Sequence, residues 1–284
     1  MTITSLDGIA NALGNSSSRF VLDKASLSNA VAGTYYSLWR ATGQPGQGAI
    51  PSAVANCNNV LTGSMGFTQQ TSPATSYGGW SNAVCSNNAV TIEIHDRLMH
   101  MGGLNATLLT AQTVGIDFNG ITADNMVRRI GDSNYSDIQW WLEWYTDTGA
   151  TASNATIAVT YNDGTTGNLT AVAVGGTVRA GRMIPLNVLI PAAAAGKYIR
   201  GIVSVTLSAS TATAGSFGVT ASRPRMTMPL NIANKMEIFD WAALGFPEIF
   251  NSSCLWPLEL CSTTSTGTVR GGGKLAHGQS AMPK

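Results

Sequence analysis

Six segments between residues 90 and 208 constrain the fold most, because they alternate apolar with polar residues or are rich in β-branched and aromatic residues. They are residues 90–101, 139–145, 155–161, 168–174, 183–190 and 198–208. Gly, Asn, Asp and Thr separate them, and no helical period lies between them. Such a succession is typical of antiparallel sheets packed face to face. The sequence therefore predicts a mainly β protein: an antiparallel, jelly-roll-like β-sandwich with short terminal helices and long loops.

The sharpest local prediction is a β-hairpin over residues 155–174. Its centre carries Asn162, Asp163 and Gly164, residue types that favour the positive φ angles of a tight connection between strands.

Helical periodicity occurs near both ends of the chain. Ile3, Leu6, Ile9 and Leu13 recur every three or four residues before Gly14, which predicts a short amphipathic helix. Its apolar stripe either packs on its own domain or docks on a neighbouring chain. A second period through Ile232, Met236, Phe239, Ala243 and Leu244, ended by Gly245 and Pro247, predicts another short helix.

Glycine and proline define the loops. Residues 41–51 contain three glycines and two prolines, so they are expected to form an exposed loop. Residues 62–81 are expected to form a second loop, and residues 263–284 a tail that extends from the fold. The predicted organisation is an N-terminal helix, arm and Gly-rich loops over 1–84, the sandwich over 85–225, and a short helix with a C-terminal arm over 226–284.

Composition excludes several classes of protein. Charged residues make up 11% of the chain, and 16 basic against 15 acidic residues leave a net charge of +1. A nucleic-acid-binding protein needs clustered Lys and Arg to contact phosphates. Because the sequence has no basic run, it argues against that class of protein. A hydrophobic content of 44% argues against disorder. No apolar stretch is long enough to cross a membrane as a helix, and we expect no membrane partner.

The N-terminus and the cysteines bear on the cell compartment. The first residues lack the basic and continuous apolar regions of a secretory signal, so synthesis in the cytoplasm is expected. Cys57, Cys85, Cys254 and Cys261 are too few and too scattered for a disulfide framework.

No set of catalytic or metal-binding residues converges in the sequence. His95 and His100 are five apart in one predicted strand, so their side chains are expected to face opposite sides, one toward solvent and one in the core. Glu93 with Asp96, and Glu143 with Asp147, are the acid pairs available for hydrolysis, and we expect them to be solvated surface acids. The glycine runs lack the Lys-Ser/Thr of a phosphate loop. We therefore expect a non-enzymatic protein without cofactor or metal.

Aromatic residues are concentrated in the segment 139–145. Trp140 and Trp144 share one face of this strand, and Trp141 and Tyr145 share the other. One face is expected to be core. The other is either a contact surface or a second buried face.

Several phrases resemble structural proteins encoded in the head and tail gene clusters of tailed bacteriophages. They are SLWRATGQPGQGAIP (37–51), HDRLMHMGGLNATLLTAQT (95–113), LEWYTDTGATASNATIAVTYNDGTTG (142–167), VTLSASTATAGSFGVT (205–220) and LCSTTSTGTVRGG (260–272). The resemblance covers most of the chain, but these phrases are not functional motifs, so no family-defining residue is carried over.

The resemblance implies a β-rich structural subunit of the virion, first of all a capsid decoration or cement protein. Such a protein would bind the outside of the shell, contacting the major capsid protein and copies of itself, as a trimer, after synthesis in the host bacterial cytoplasm. The alternative is a tail or head-fibre receptor-binding protein that recognises host surface carbohydrate. The residues predicted to form the interface are Ile3, Leu6, Ile9, Leu13, Trp39, Gln44, Pro45, Gly46, Trp141 and Tyr145.

Overall fold

A computed structural model describes residues 5–15, 17–70, 75–176 and 180–277. The helices are α1 (Leu6–Asn15) and α2 (Asp124–Ile130). The strands are β1 (Ser17–Lys24), β2 (Tyr35–Ser37), β3 (Gly43–Gln44), β4 (Ala55–Asn56), β5 (Thr75–Cys85), β6 (Val90–Leu104), β7 (Gln112–Asp117), β8 (Gln139–Thr146), β9 (Asn154–Tyr161), β10 (Thr166–Asn168), β11 (Val172–Ala173), β12 (Arg182–Pro185), β13 (Ile199–Leu207), β14 (Ser216–Leu230), β15 (Glu237–Asp240), β16 (Glu248–Phe250), β17 (Leu255–Leu260) and β18 (Val269–His277). The prediction of a mainly β, antiparallel, sandwich-like fold is confirmed.

The chain divides into two compact units that are not consecutive in sequence. The first unit comprises Met1–Gly48, Asn58–Asp96 and Pro224–Lys284, and the second comprises Ala49–Cys57 and Arg97–Arg223. The predicted segments, by contrast, are consecutive. The long strands β6 and β14 contribute residues to both units, which local sequence patterns do not reveal.

The first unit contains an antiparallel sheet in the order β15-β5-β18-β1-β3. Its central strand, β18, pairs with β5 and with β1 along most of its length. In the same unit β17 pairs with β2 and with the first half of β6. The core between these strands includes Phe20, Leu22, Ile92, Ile94, Met226, Leu255 and Leu275.

Helix α1 confirms the first predicted helix and shows where its apolar stripe packs. Ile9 and Ala12 are buried against Tyr77 and Ala276 of the first unit. Leu13 packs against the same cluster, whereas the side chain of Leu6 is 68% exposed. The stripe therefore packs on its own unit, and the assignment of Ile9 and Leu13 to a contact with another chain is corrected. Ile3 lies outside the described residues.

The second predicted helix is wrong. Residues 237–240 form strand β15, which pairs with β5 from Glu237 opposite Ala83 to Asp240 opposite Trp80. The apolar residues of the predicted helix lie in this strand and in the turns beside it. Pairing with a long neighbouring strand outweighs a weak helical period. The predicted C-terminal arm is also corrected as far as residue 277, since β18 lies in the middle of the sheet.

The second unit is the sandwich. One of its sheets has the order β10-β9-β13-β7, with β11 also paired to β9. Strand β8 pairs with β12 and with β14, and β4 pairs with β6. Side chains from these strands share one core, which includes Leu98, Val114, Trp140, Leu142, Trp144, Ile157, Val159, Ile202, Val205 and Val219.

The predicted hairpin in this unit is confirmed. Strands β9 and β10 pair from Thr160 opposite Thr166 to Ala158 opposite Asn168, and Gly164 adopts a φ of 84° in the turn. The two segments after it are shorter than predicted. In the predicted segment 168–174, β10 ends at Asn168 and only the two residues of β11 form a further strand. The predicted strand at 183–190 stops at Pro185, before a short 3-10 helix over Asn187–Leu189.

Close backbone packing in β18 generates a first prediction. A β-carbon on Gly271 would lie 2.1 Å from the carbonyl oxygen of Asn82 on β5. We expect Gly271→Ala to lower the free energy of unfolding by about 1–3 kcal/mol, because the strands would have to separate. Gly14→Ala is the matched control, since a β-carbon there meets nothing within 4 Å. Equal denaturation midpoints for the two variants would contradict the prediction.

Candidate functional site

The acids and histidines of β6 form hydrogen bonds with neighbouring side chains and backbone. His95 and His100 are both buried, so the expectation that one of them faces solvent is wrong. His95 Nε2 lies 2.8 Å from Glu93 Oε2, and the Tyr35 hydroxyl donates to Glu93 Oε1 at 3.2 Å. Burial by itself would raise the pKa of Glu93, but these hydrogen bonds hold that pKa below its usual value.

Asp96 is fully buried and is satisfied within the first unit. Its carboxylate accepts hydrogen bonds from the Ser253 hydroxyl at 2.8 Å and the Cys254 backbone N–H at 2.9 Å. Arg225 lies 3.8 Å from the same carboxylate. Asp96 is therefore not the surface acid that we expected from the sequence.

Glu143 is the centre of a second buried network, in the second unit. It accepts from Arg97 Nη2 at 2.6 Å, from the Thr220 hydroxyl at 2.5 Å and from the Tyr145 hydroxyl at 3.1 Å. Arg97 also donates to His100 Nδ1 at 3.0 Å. Burial raises the pKa of Tyr145, and the nearby Glu143 carboxylate raises it further. Because three donors occupy the carboxylate, the buried charge of Glu143 is compensated within the network.

The aromatic strand β8 is buried on both faces. Trp141 and Tyr145 are buried, and Trp141 donates from its indole nitrogen to Ser222 at 3.0 Å. Of the two alternatives for this face, the second buried face is the correct one. The assignment of Trp141 and Tyr145 to an exposed interface is corrected, because in this chain their side chains already have partners.

Metal ligands and disulfides do not assemble in the part of the chain that the structure describes. There, no group of three or more His, Cys, Asp and Glu side chains could hold a metal ion. The four cysteines are buried, and none of them forms a disulfide. Over the same ranges, no helix is long and apolar enough to span a membrane.

The remaining candidate is one face of the sheet in the first unit, which we call the outer face. It consists of residues that alternate along four neighbouring strands: Arg19, Val21 and Asp23 on β1, Arg270, Gly272 and Lys274 on β18, Trp80, Asn82 and Val84 on β5, and Ile238 and Asp240 on β15.

Cross-strand register makes the outer face continuous. Ile238, Asn82, Gly272 and Val21 lie directly opposite one another in a single row across four strands. Ile238 is 73% exposed and Val21 is 61% exposed. Gly272 has no side chain, so the centre of the row is flat. Exposed aliphatic side chains on a flat sheet are the kind of surface that other proteins cover.

A groove of about 320 Å³ adjoins this face along strand β1. Arg19 and Val21 line one side, and the chain from Gln44 through Pro45 to Gly46 lines another. The segment from Leu61 to Gly66 completes it. In the described residues, β1 pairs with β3 only at Asp23 and Lys24, so the groove follows the part of β1 beyond that short pairing.

Two buried side chains position the walls of the groove. Lys24 is fully buried, and its Nζ donates to the carbonyl oxygens of Ala41 at 3.0 Å and Pro45 at 2.7 Å. Burial lowers the pKa of Lys24 to about 8. Trp39 is also buried, and its ring packs where β-carbons on Gly48 and Gly63 would have to lie. Sequence analysis did not identify Lys24, because a single lysine carries no pattern of its own.

Four interface residues predicted from the sequence thus come together at this site, in different roles. Gln44 is exposed, Pro45 is buried and Gly46 is partly exposed at the groove. Trp39 lies beneath them as a support and is not itself a contact residue. Contact of this surface with another chain stays a prediction.

In the first unit, the buried carboxyl group of Glu259 differs from that of Asp96 in its hydrogen bonding. Glu259 on β17 lies opposite Tyr36 and Ile92, and among the described residues neither of its carboxyl oxygens has a hydrogen-bond partner. Burial raises its pKa to about 9. The thiols of Cys85 and Cys261 are close enough to interact with it electrostatically. Glu259 is therefore a protonated core residue at neutral pH.

We compared the chain with family models, curated proteins and solved structures. No family model and no curated protein matches it. Among solved structures, it is similar to the VP2 subviral particle of infectious bursal disease virus, with 14% identity, 91% of this chain and 79% of that chain covered, and a TM-score of 0.17. The structure of the Gx strain of that virus is 14% identical, with 91% of this chain and 80% of that chain covered and a TM-score of 0.16. The structure of its T13 particle is 10% identical, with 91% of this chain and 76% of that chain covered and a TM-score of 0.15. TM-scores of this size do not indicate a shared fold.

Glu259 generates a prediction about pH. A carboxyl group with a folded pKa near 9 and an ordinary pKa of 4.5 contributes stability that is complete below about pH 4.5 and is lost as the pH rises toward 9. We expect Glu259→Gln to remove this loss, so that thermal melting at pH 8 occurs several degrees higher than in the wild type. A variant whose midpoint falls with pH as steeply as that of the wild type would contradict the assignment.

Lys24 generates a second prediction about the groove. Lys24→Met leaves two carbonyl oxygens without their donor, which we expect to cost about 1–3 kcal/mol of stability. Loosening of the loop should also accelerate trypsin cleavage after Arg40, measured by mass spectrometry. Lys235→Met removes an exposed lysine and is the control. Unchanged cleavage after Arg40 would show that Lys24 does not hold the loop.

Proposed function

We propose that this chain is a non-enzymatic structural protein of a tailed-phage virion. In this proposal it binds the outside of the capsid shell as a decoration or cement protein, contacting the major capsid protein and copies of itself. The sequence resemblance motivates the proposal. The use of Asp96, Glu143 and His95 as buried structural groups is consistent with a protein that performs no chemistry.

One observation carries the proposal: the first unit presents two exposed surfaces suited to contact. A protein that cements a shell must bind at least two neighbours at once, so that many weak contacts act together. The outer face offers exposed Val21 and Ile238, and the groove offers Gln44 beside a loop on which Val60 is 79% exposed. The near-neutral charge fits contacts formed by shape and apolar area rather than by a charged ligand.

The receptor-binding alternative has lost the residues that favoured it. It relied on the strand from Trp140 to Tyr145 to hold sugar, and all four aromatic side chains of that strand are buried. We therefore treat recognition of host carbohydrate as an outcome of the test.

Binding to heads assembled without this protein tests the proposal. Purified wild-type protein should bind these heads to a defined occupancy in cryo-EM maps and raise the temperature at which they release DNA. Val60→Asp should lower the occupancy at least about tenfold, because it places a charge in the proposed contact. Val188→Asp is the matched control: Val188 is 76% exposed but belongs to the second unit.

Three results would contradict the proposal. Heads could remain undecorated at saturating protein, Val60→Asp could bind as well as Val188→Asp, or the protein could bind host cells instead. The last result would establish the receptor-binding function.

A further inference from the structure

We infer that the outer face of the first unit binds the same face of a second copy of this chain, about a two-fold axis that runs perpendicular to the strands. This inference deepens the proposed function, because it assigns one of the two surfaces to contact between copies. Arg19 and Val21 line the groove as well, so its other two walls, at residues 44–46 and 61–66, then remain for the shell.

Helix α1 limits what can cover the outer face. Ala276 continues the alternation of Gly272 and Lys274 on β18, and it is buried under α1. Lys274 Nζ donates to the carbonyl oxygen of Leu13, near the C-terminus of the helix, at 3.1 Å. The helix therefore covers one end of the face and leaves the rest open. Any partner must form a layer that stops where the helix begins.

A second sheet fits beside the helix, because stacked sheets lie about 10 Å apart and a packed helix is about as thick. A two-fold axis parallel to the strands would place both α1 helices at the same end, where they would collide. An axis perpendicular to the strands places them at opposite ends, so that each helix flanks the partner's sheet. Shape alone thus selects one arrangement of two copies.

That arrangement is also complementary in charge and polarity. The row of Val21, Gly272, Asn82 and Ile238 lies on the axis, so that each of these residues meets its own counterpart. Arg19 lies two residues from Val21 on one side, and Asp23 lies two residues away on the other. The two-fold axis therefore brings Arg19 of each copy opposite Asp23 of the other. Among the described residues, the side chain of Arg19 has no ion pair within its own chain.

The remaining pairs agree with a sheet-on-sheet contact. Trp80 of one copy faces Val84 of the other, two partly buried apolar side chains that association would cover. Lys274 faces Arg270, but Lys274 is engaged by α1 and Arg270 by Asp23 at 3.2 Å. Packed sheets are rotated by about 30°, so the pairs nearest the axis contribute most.

The test measures association of the full chain by sedimentation velocity over a range of concentrations. We expect a concentration-dependent dimer for the wild type, and a dissociation constant at least about tenfold higher for Val21→Arg and for Ile238→Arg. Val188→Arg, at an equally exposed position in the second unit, should associate like the wild type. Circular dichroism and thermal melting of each variant establish that it is folded.

A charge exchange distinguishes this arrangement from nonspecific association. Arg19→Asp and Asp23→Arg should each weaken the dimer, and the double variant should restore it, because the opposed pair is re-formed with its signs reversed. A wild type that stays monomeric at about 200 µM would overturn the inference, as would folded variants of Val21 and Ile238 that associate normally or a double variant without rescue. Decoration of heads is measured separately, so a monomer that still binds heads would refute this contact and leave the proposed function in place.

Discussion

The first unit depends on the insertion of β18 between β5 and β1. This strand pairs with segments about 190 and 250 positions away in the sequence, and it positions every row of the outer face. Close pairing requires small residues, since a β-carbon on Gly271 would contact the backbone of β5. The glycines that suggested a flexible tail are thus the residues that allow this strand to occupy the centre of a sheet.

Buried charges form the second constraint. Arg97, Glu143 and Asp96 are all removed from water, and each forms hydrogen bonds with neighbouring residues. Such groups stabilise a unique arrangement mainly by penalising alternatives in which they lose their partners. Glu259 differs because burial holds it in the neutral form. Four of its acids, Asp96, Glu143, Glu259 and in part Glu93, thus belong to the interior of the fold.

The first unit also presents two exposed surfaces, the outer face and the groove. The outer face is flat because Gly272 lies at its centre, and the groove keeps its shape because Lys24 and Trp39 hold the loops around it. Both surfaces are polar at their margins and contain exposed aliphatic side chains. Contacts of this kind gain strength from repetition in a symmetric assembly, which is the setting of both proposals.

The sequence by itself determined the β class, the hairpin at Gly164 and helix α1, because alternation, turn residues and helical period are local properties. Only the tertiary structure decided that residues 237–240 form a strand, that Trp141 and Tyr145 are buried, and that Gln44 and Val21 share a groove. These features arise from pairing between distant segments, and the free energy of that pairing outweighs local preference. The single residues that hold the groove, Lys24 and Trp39, could be found only once their neighbours were known.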